Sequence, residues 1–151
     1  MKLIAYGSLM NDYKKSNLVI VKGWKRVFNK IVDSWCWKKF SKGKEVATLN
    51  VIEDKNSSFN AVLIEYKKKD VQDIKKREAN YVMKEADIFD YKTGKSLGRA
   101  KLFVSKKIGS DIVPIKEYLE ACRKAAYSHG KEFGKEFEQS TYLSDKKTRI
   151  S

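Results

Sequence analysis

Met1-Lys-Leu-Ile-Ala-Tyr6-Gly7-Ser8-Leu9-Met10 opens the chain with a short apolar run that stops abruptly at Tyr-Gly-Ser-Leu. A hydrophobic segment this brief, bounded by glycine, reads as a buried strand emptying into a loop, because it is too short for a helical stripe. Gly7 is the informative residue. Without a Cβ it can adopt positive φ and let main-chain N–H groups converge on a carboxylate or an oxyanion. The plainer alternative is that Gly7 only turns the chain out of its first strand, with Ser8 as an ordinary turn residue.

Working outward, Leu18–Val21 reads as a second strand, and Gly23-Trp24 punctuates it. The segments Trp24–Phe28 and Ile31–Trp37 alternate like strands and are rich in aromatics. Residues 41–44 read as a turn. Residues 45–52 then form a clear strand, with Val46, Thr48 and Asn50 on one face and Ala47, Leu49 and Val51 on the other. Asn50 is a polar side chain inside an apolar run, so on a buried face it needs partners, and a ligand is one way to supply them. Residues 54–58 are a polar turn. Phe59–Tyr66 has the continuous apolar middle of a strand covered on both sides.

A short helix capped by Asp70 is expected to run to about Arg77. After it come a strand over Tyr81–Phe89, a turn at Asp90–Gly94 and another strand over Gly98–Val104. Pro114 is expected to open the longest helix. Ile115, Tyr118, Leu119, Cys122, Ala125, Ala126 and His129 form its apolar stripe, and Gly130 its C-cap. On this stripe Tyr118 reads as core, and His129 as a packed helix-end histidine rather than a catalyst. A further helical turn or two is expected over Lys131–Phe137, and residues 144–151 read as a polar tail that frays. No repeat or linker divides the chain, so residues 1–143 form a single domain. Many strands with few helices give an α+β class, with a small barrel or half-barrel as its architecture.

Composition narrows the function. The 151 residues are 42% hydrophobic and 12% aromatic, as a folded globule requires, and no apolar run is long enough to span a bilayer. Nothing at the start resembles a cleavable leader, so a cytoplasmic protein without membrane association is expected. The single histidine and the two separated cysteines, Cys36 and Cys122, make neither a metal site nor a disulfide framework. The formal charge is +14. Its lysines are scattered in pairs and short runs, which suits a solvated exterior better than base readout by arginine forks. A nucleic-acid surface on Trp35, Trp37 and Phe40, with Lys38, Lys39, Lys42 and Lys44, stays open as an alternative.

A second chemical stretch is Asp73-Ile74-Lys-Lys-Arg77-Glu78-Ala-Asn-Tyr81, where a carboxylate and a phenol stand between a helix and a strand. Read locally, Glu78 is equally a solvated carboxylate paired with a neighbouring cation, and Tyr81 a core aromatic. Tyr6-Gly7-Ser8-Leu9, Thr48-Leu49-Asn50-Val51, the Ala61–Ile64 strand and Ile74–Tyr81 together resemble the γ-glutamylcyclotransferase-like family. Glu117-Tyr118-Leu119 and His129-Gly130 extend the likeness to nearly the whole chain. The chain departs from the family pattern at Ala79, where Gly is common, and at Lys84, where Arg is common.

The resemblance implies a small mixed β-barrel of about five to seven strands with flanking helices. It also implies cyclisation of a γ-glutamyl amide or peptide to 5-oxoproline, with Glu78 as general acid/base. The Tyr6, Gly7, Ser8, Leu9 loop would hold the α-carboxylate and amine end of the γ-glutamyl group; Asn50 and Tyr81, read from their own surroundings in sequence, are further candidate contacts to the small-molecule substrate, and neither cofactor nor metal is called for. A catalytically silent binder on the same fold is the other reading. The departing amine and the oligomeric state are left open.

Overall fold

The computed structural model describes residues 2–11, 17–32, 39, 46–70, 72 and 81–150. Among these, seven strands follow in order: β1 (Lys2–Ala5), β2 (Asn17–Ile31), β3 (Val46–Glu65), β4 (Tyr81–Asp90), β5 (Ser96–Ser105), β6 (Val113–Pro114) and β7 (Thr141–Tyr142). A 3₁₀ turn at Ser8–Asn11 follows β1, and two helices, α1 (Lys116–Tyr127) and α2 (Lys131–Gln139), precede β7. Residues 68–70 and 72 are helical, so the helix expected to start from a cap at Asp70 begins earlier, and Asp70 lies inside it with its N–H donating to Lys67 O at 2.9 Å. The rest of that segment, and the turn at 41–44, lie outside the described residues.

The strands pair in the order β3-β1-β5-β4-β2, and β2 pairs again with β3, so five strands close into a ring while β6 and β7 add at its flanks. The barrel is mixed because β1 runs parallel to β5 and antiparallel to β3. Period-two alternation sorts the wall into two cores. Ile4, Val19, Val21, Phe59, Ala61, Leu63, Ala86, Ile88, Ala100 and Leu102 come from all five strands and fill the interior. Leu3, Ala5, Val62 and Ile64 point the other way, onto Tyr118, Cys122, Ala125 and Ala126 of α1 and Phe133 and Phe137 of α2. Full burial of Phe133 and Phe137 contributes about 2 kcal/mol each.

The strands predicted over 45–52 and 59–66 are one strand of 20 residues. Its polar stretch is a bulge rather than a reversal. Lys22 stands opposite Ser58 and Trp24 opposite Glu53, so residues 54–57 face Gly23 alone. Asp54 closes the bulge by accepting hydrogen bonds from the Asn56 N–H at 3.1 Å and the Ser57 hydroxyl at 2.7 Å. Gly23 sits at φ 89°, which an L side chain rarely adopts, so it bends β2 without breaking it. The pieces predicted over 18–21 and 24–28 are therefore a single strand. Such bends let two long strands wrap a small barrel.

Three further expectations change. Pro114 does not open the helix. It lies in β6, parallel to Ala47, at the flank of the sheet, where a missing N–H costs no ladder bond, and the Ile115 N–H then donates to Ala47 O at 3.1 Å. Gly130 is not the C-cap of α1, a place taken by Ser128. At φ 123° it is the N-cap of α2 and turns one helix into the next. The terminal residues fold back instead of fraying. Leu143 N–H donates to Thr148 O and Ile150 N–H to Thr141 O, while the Asp145 carboxylate accepts from the amides of Lys147 and Thr148. Among the described residues, no helix is long and apolar enough to cross a membrane.

Candidate functional site

The turn after β1 is pinned at almost every residue. Tyr6 donates its hydroxyl to Phe103 O on β5 at 2.7 Å and stands edge-on to Phe59. Its carbonyl accepts from Arg26 Nη1 at 3.2 Å. Gly7 O accepts from the Met10 N–H at 3.0 Å, and Met10 O accepts from His129 Nε2 at 2.7 Å. His129 thus ties α1's end to the turn and packs edge-on against Phe133, as expected of a structural histidine. Leu9 is 38% exposed, and Ser8 is half-buried.

Gly7 is required for a reason the sequence did not reveal. It is not among the glycines at positive φ, which are Gly23, Gly94, Gly98 and Gly130. Instead, a Cβ there would stand 2.9 Å from the Tyr118 hydroxyl, 3.4 Å from Leu49 Cδ1 and 3.8 Å from Cys122 Sγ. The turn needs glycine for closeness to α1, not for left-handed backbone. Burial pushes the Cys122 thiol up to about 12, although the Tyr118 hydroxyl, the Arg26 charge and the Ser8 backbone N–H all favour its thiolate. Burial likewise holds the Tyr118 hydroxyl well above the ordinary phenol range, and Cys122, Tyr81 and Tyr6 add to the effect. Both groups are neutral at physiological pH, so neither is an activated nucleophile.

Asn50 and Tyr81 reach the same end of β5. Asn50 is buried and fully engaged: Nδ2 donates to Asn29 Oδ1 at 3.1 Å and to Ser105 O at 3.2 Å, and Oδ1 accepts the Ser105 N–H at 2.8 Å. Its amide thereby joins β3 to β5 by a β-type pair of bonds to Ser105. Tyr81 pairs with Ser105 in the β4–β5 ladder and stacks edge-on against Phe103 at 5.7 Å. Tyr6 and Tyr81 thus both touch Phe103, and Asn50 and Tyr81 both reach Ser105, whereas Gly7 and Ser8 lie beside Tyr118 and Cys122. Glu78, the residue expected to do acid/base work, lies outside the described residues. So do Asp73, Arg77, Cys36, Trp35, Trp37, Lys38, Phe40, Lys42 and Lys44; Lys39 is described and exposed.

Two buried cations at this end were not singled out from the sequence. Lys30 is almost wholly buried, with Nζ 4.6 Å above the Tyr81 ring. Arg26 is wholly buried. The signal for Arg26 was its place between Trp24 and Phe28 in an alternating strand, a charge on an apolar face. Among the described residues, no group of three or more His, Cys, Asp or Glu side chains is placed to hold a metal ion.

A closed five-stranded mixed barrel, its first strand running into a glycine turn backed by a helix, is the γ-glutamylcyclotransferase-like fold. Solved structures with this architecture superpose on most of the chain. One described as a gamma-glutamyl cyclotransferase matches at a TM-score of 0.68 with 12% identity, over 99% of this chain and 92% of its own. A yeast gamma-glutamyl cyclotransferase specific to glutathione matches at 0.64 and 12%, over 83% and 86%. YkqA from Bacillus subtilis matches at 0.69 and 15%, over 92% of this chain and 53% of YkqA, so the chain spans about half the length of that protein. No protein-family model and no curated protein sequence matches the chain. At such identities the likeness establishes the fold, and activity has to be argued from the site.

Proposed function

We propose that the protein cyclises a γ-glutamyl amide or peptide to 5-oxoproline and releases the amine. The observation that carries this reading is the convergence of the Tyr6–Leu9 turn and Tyr81 on one end of β5. Tyr6 bonds to Phe103 O, and Tyr81 pairs with Ser105 two residues further on. Glu78 is three residues before Tyr81. Its acid/base role rests on the resemblance of the Ile74–Tyr81 stretch to the family pattern.

The chemistry asks little of the protein beyond placement. The substrate's own α-amine attacks its γ-carbonyl, a C–N bond forms to that amine, and the bond to the departing nitrogen breaks. Glu78 takes the proton released by the attacking amine and returns it to the departing one, so one carboxyl serves as base and then acid. No protein nucleophile is needed, which agrees with the neutral, buried Cys122 and Tyr118. The rigid turn supplies main-chain N–H groups. The Ser8 N–H faces Cys122, whereas among the described residues no acceptor is bonded to the N–H of Gly7 or Leu9. Those amides suit the α-carboxylate or the oxyanion of the tetrahedral intermediate. Asn50 acts here by fixing Ser105 and hence the wall beside Tyr81. The rate enhancement comes from holding a flexible substrate in its near-attack shape.

The test is release of 5-oxoproline from a panel of γ-glutamyl dipeptides, γ-glutamylamines and glutathione. Glu78→Gln is expected to keep the fold and abolish turnover. Undiminished product from that variant removes Glu78 from the mechanism. Ligand-induced thermal stabilisation without product from any substrate would instead identify a silent binder.

A further inference from the structure

Arg26 spends all five of its N–H donors, and none of them on a carboxylate. Nε donates to Thr141 Oγ1 at 2.8 Å; Nη1 donates to Asn60 O at 2.7 Å and Tyr6 O at 3.2 Å; Nη2 donates to Asn60 Oδ1 at 2.8 Å and Ser140 Oγ at 2.9 Å. The guanidinium lies between the rings of Phe59, 5.0 Å away, and Phe137, 4.4 Å away. Burial pushes it down to about 9, which still leaves it cationic at neutral pH. A full charge is thus set in the barrel wall with only neutral partners in contact among the described residues. Such burial is costly, and apolar side chains often fill such a place at no loss of stability.

One of the five acceptors points to what the charge does. Tyr6 C=O and Gly7 N–H are the two ends of a single peptide group, and the described chain contains no cis peptide bond. In a trans peptide the N–H points opposite to the C=O, so the Gly7 N–H is directed away from Arg26. A cationic donor on the carbonyl draws electron density through the conjugated unit and makes the N–H at its far end a stronger donor. That N–H has no acceptor among the described residues.

We infer that Arg26 is a positioning residue for a ligand carboxylate: it fixes and polarises the Tyr6–Gly7 peptide so that the Gly7 N–H, backed by a buried positive charge, holds the anion at the turn. This rests on the proposed reading of the turn as a γ-glutamyl-binding element. It predicts that the turn discriminates by charge. A ligand with a free carboxylate binds, and the same ligand with that group amidated does not. A purely structural Arg26 would affect stability alone.

The experiment is an amide-resolved ¹⁵N–¹H titration of the full chain with 5-oxoproline and, separately, with 5-oxoprolinamide. The Gly7 resonance is expected to shift saturably with the first and not with the second. Arg26→Lys is expected to weaken 5-oxoproline binding about tenfold, and Arg26→Met more, as loss of one charge-assisted contact implies. Unchanged affinity and discrimination in either folded variant overturns the inference. Should neither variant fold, the wild-type titration decides, because a Gly7 amide that ignores 5-oxoproline overturns it equally. Carboxylate binding at Gly7 without turnover of any γ-glutamyl substrate would defeat the proposed reaction and leave this inference standing. Turnover with a silent Gly7 amide would do the reverse.

Discussion

The hydroxyl of Tyr118 lies 2.9 Å from the point where residue 7 would carry its Cβ, so the turn after β1 and the first helix are built against each other with no spare room. That contact, rather than a left-handed backbone, makes residue 7 a glycine.

Gly7→Ala should therefore force the turn and α1 apart. An overpacked contact of this kind costs about 1–3 kcal/mol, to be read as a lower melting temperature. A displaced turn should also cut 5-oxoproline formation by about 100-fold, since small misplacements of binding groups are amplified in rate. Adding Tyr118→Phe removes the obstructing oxygen and should recover most of the melting temperature. An alanine variant as stable as the parent would show that the contact yields easily.

Asn50 is expected to act on stability before it acts on binding. Its amide supplies both partners of the Ser105 backbone and one of Asn29. Asn50→Ala strands buried polar groups and should cost about 3 kcal/mol in denaturant unfolding. A raised KM at unchanged stability would show instead that the side chain serves the ligand directly.

Cys122 should be chemically silent in the folded protein, because its thiol is buried and burial raises it to about 12. In a Cys36→Ser background, a thiol-specific reagent at pH 8 should label nothing until denaturant is added, and then one equivalent. Rapid labelling under native conditions would contradict the packing of Gly7, Tyr118 and Cys122.

Acid should loosen the C-terminal turn first. The Thr148 hydroxyl, followed by the backbone amides of Thr148 and Lys147, holds the Asp145 carboxyl at about 2, below its ordinary 3.8. A depressed carboxyl contributes stability in full above the unfolded value and loses it as pH falls through the folded one. The protection factor of the Leu143 amide, whose N–H donates to Thr148 O, taken against the intrinsic exchange rate at each pH, should fall between about pH 4 and pH 2, and Asp145→Asn should show little protection already at neutral pH. Protection that persists at pH 2 would assign the turn to other contacts.

Much of the barrel is legible locally. Alternation in Tyr81–Phe89 and the Asp90–Gly94 turn give a hairpin that the structure reproduces, because strand faces and tight turns depend on neighbours in sequence. The bulge at residues 54–57 was misread for the same reason: Asp, Asn and Ser favour a reversal locally, and only the ladder with β2 carries the strand through. Arg26 is not singled out by the sequence because its acceptors are Tyr6, Asn60, Ser140 and Thr141, up to 115 residues away.

By itself, the sequence determined that β1 ends in Tyr-Gly-Ser-Leu, that strands dominate, and that one apolar helical stripe faces them, since these follow from side-chain periodicity and glycine placement. Only the tertiary structure decided that β2 closes onto β3, that Gly7 abuts Tyr118, and that Arg26 stands behind the Tyr6 carbonyl. Periodicity says which face of an element is buried. What it is buried against is set by strand register and helix docking, which no local stretch encodes.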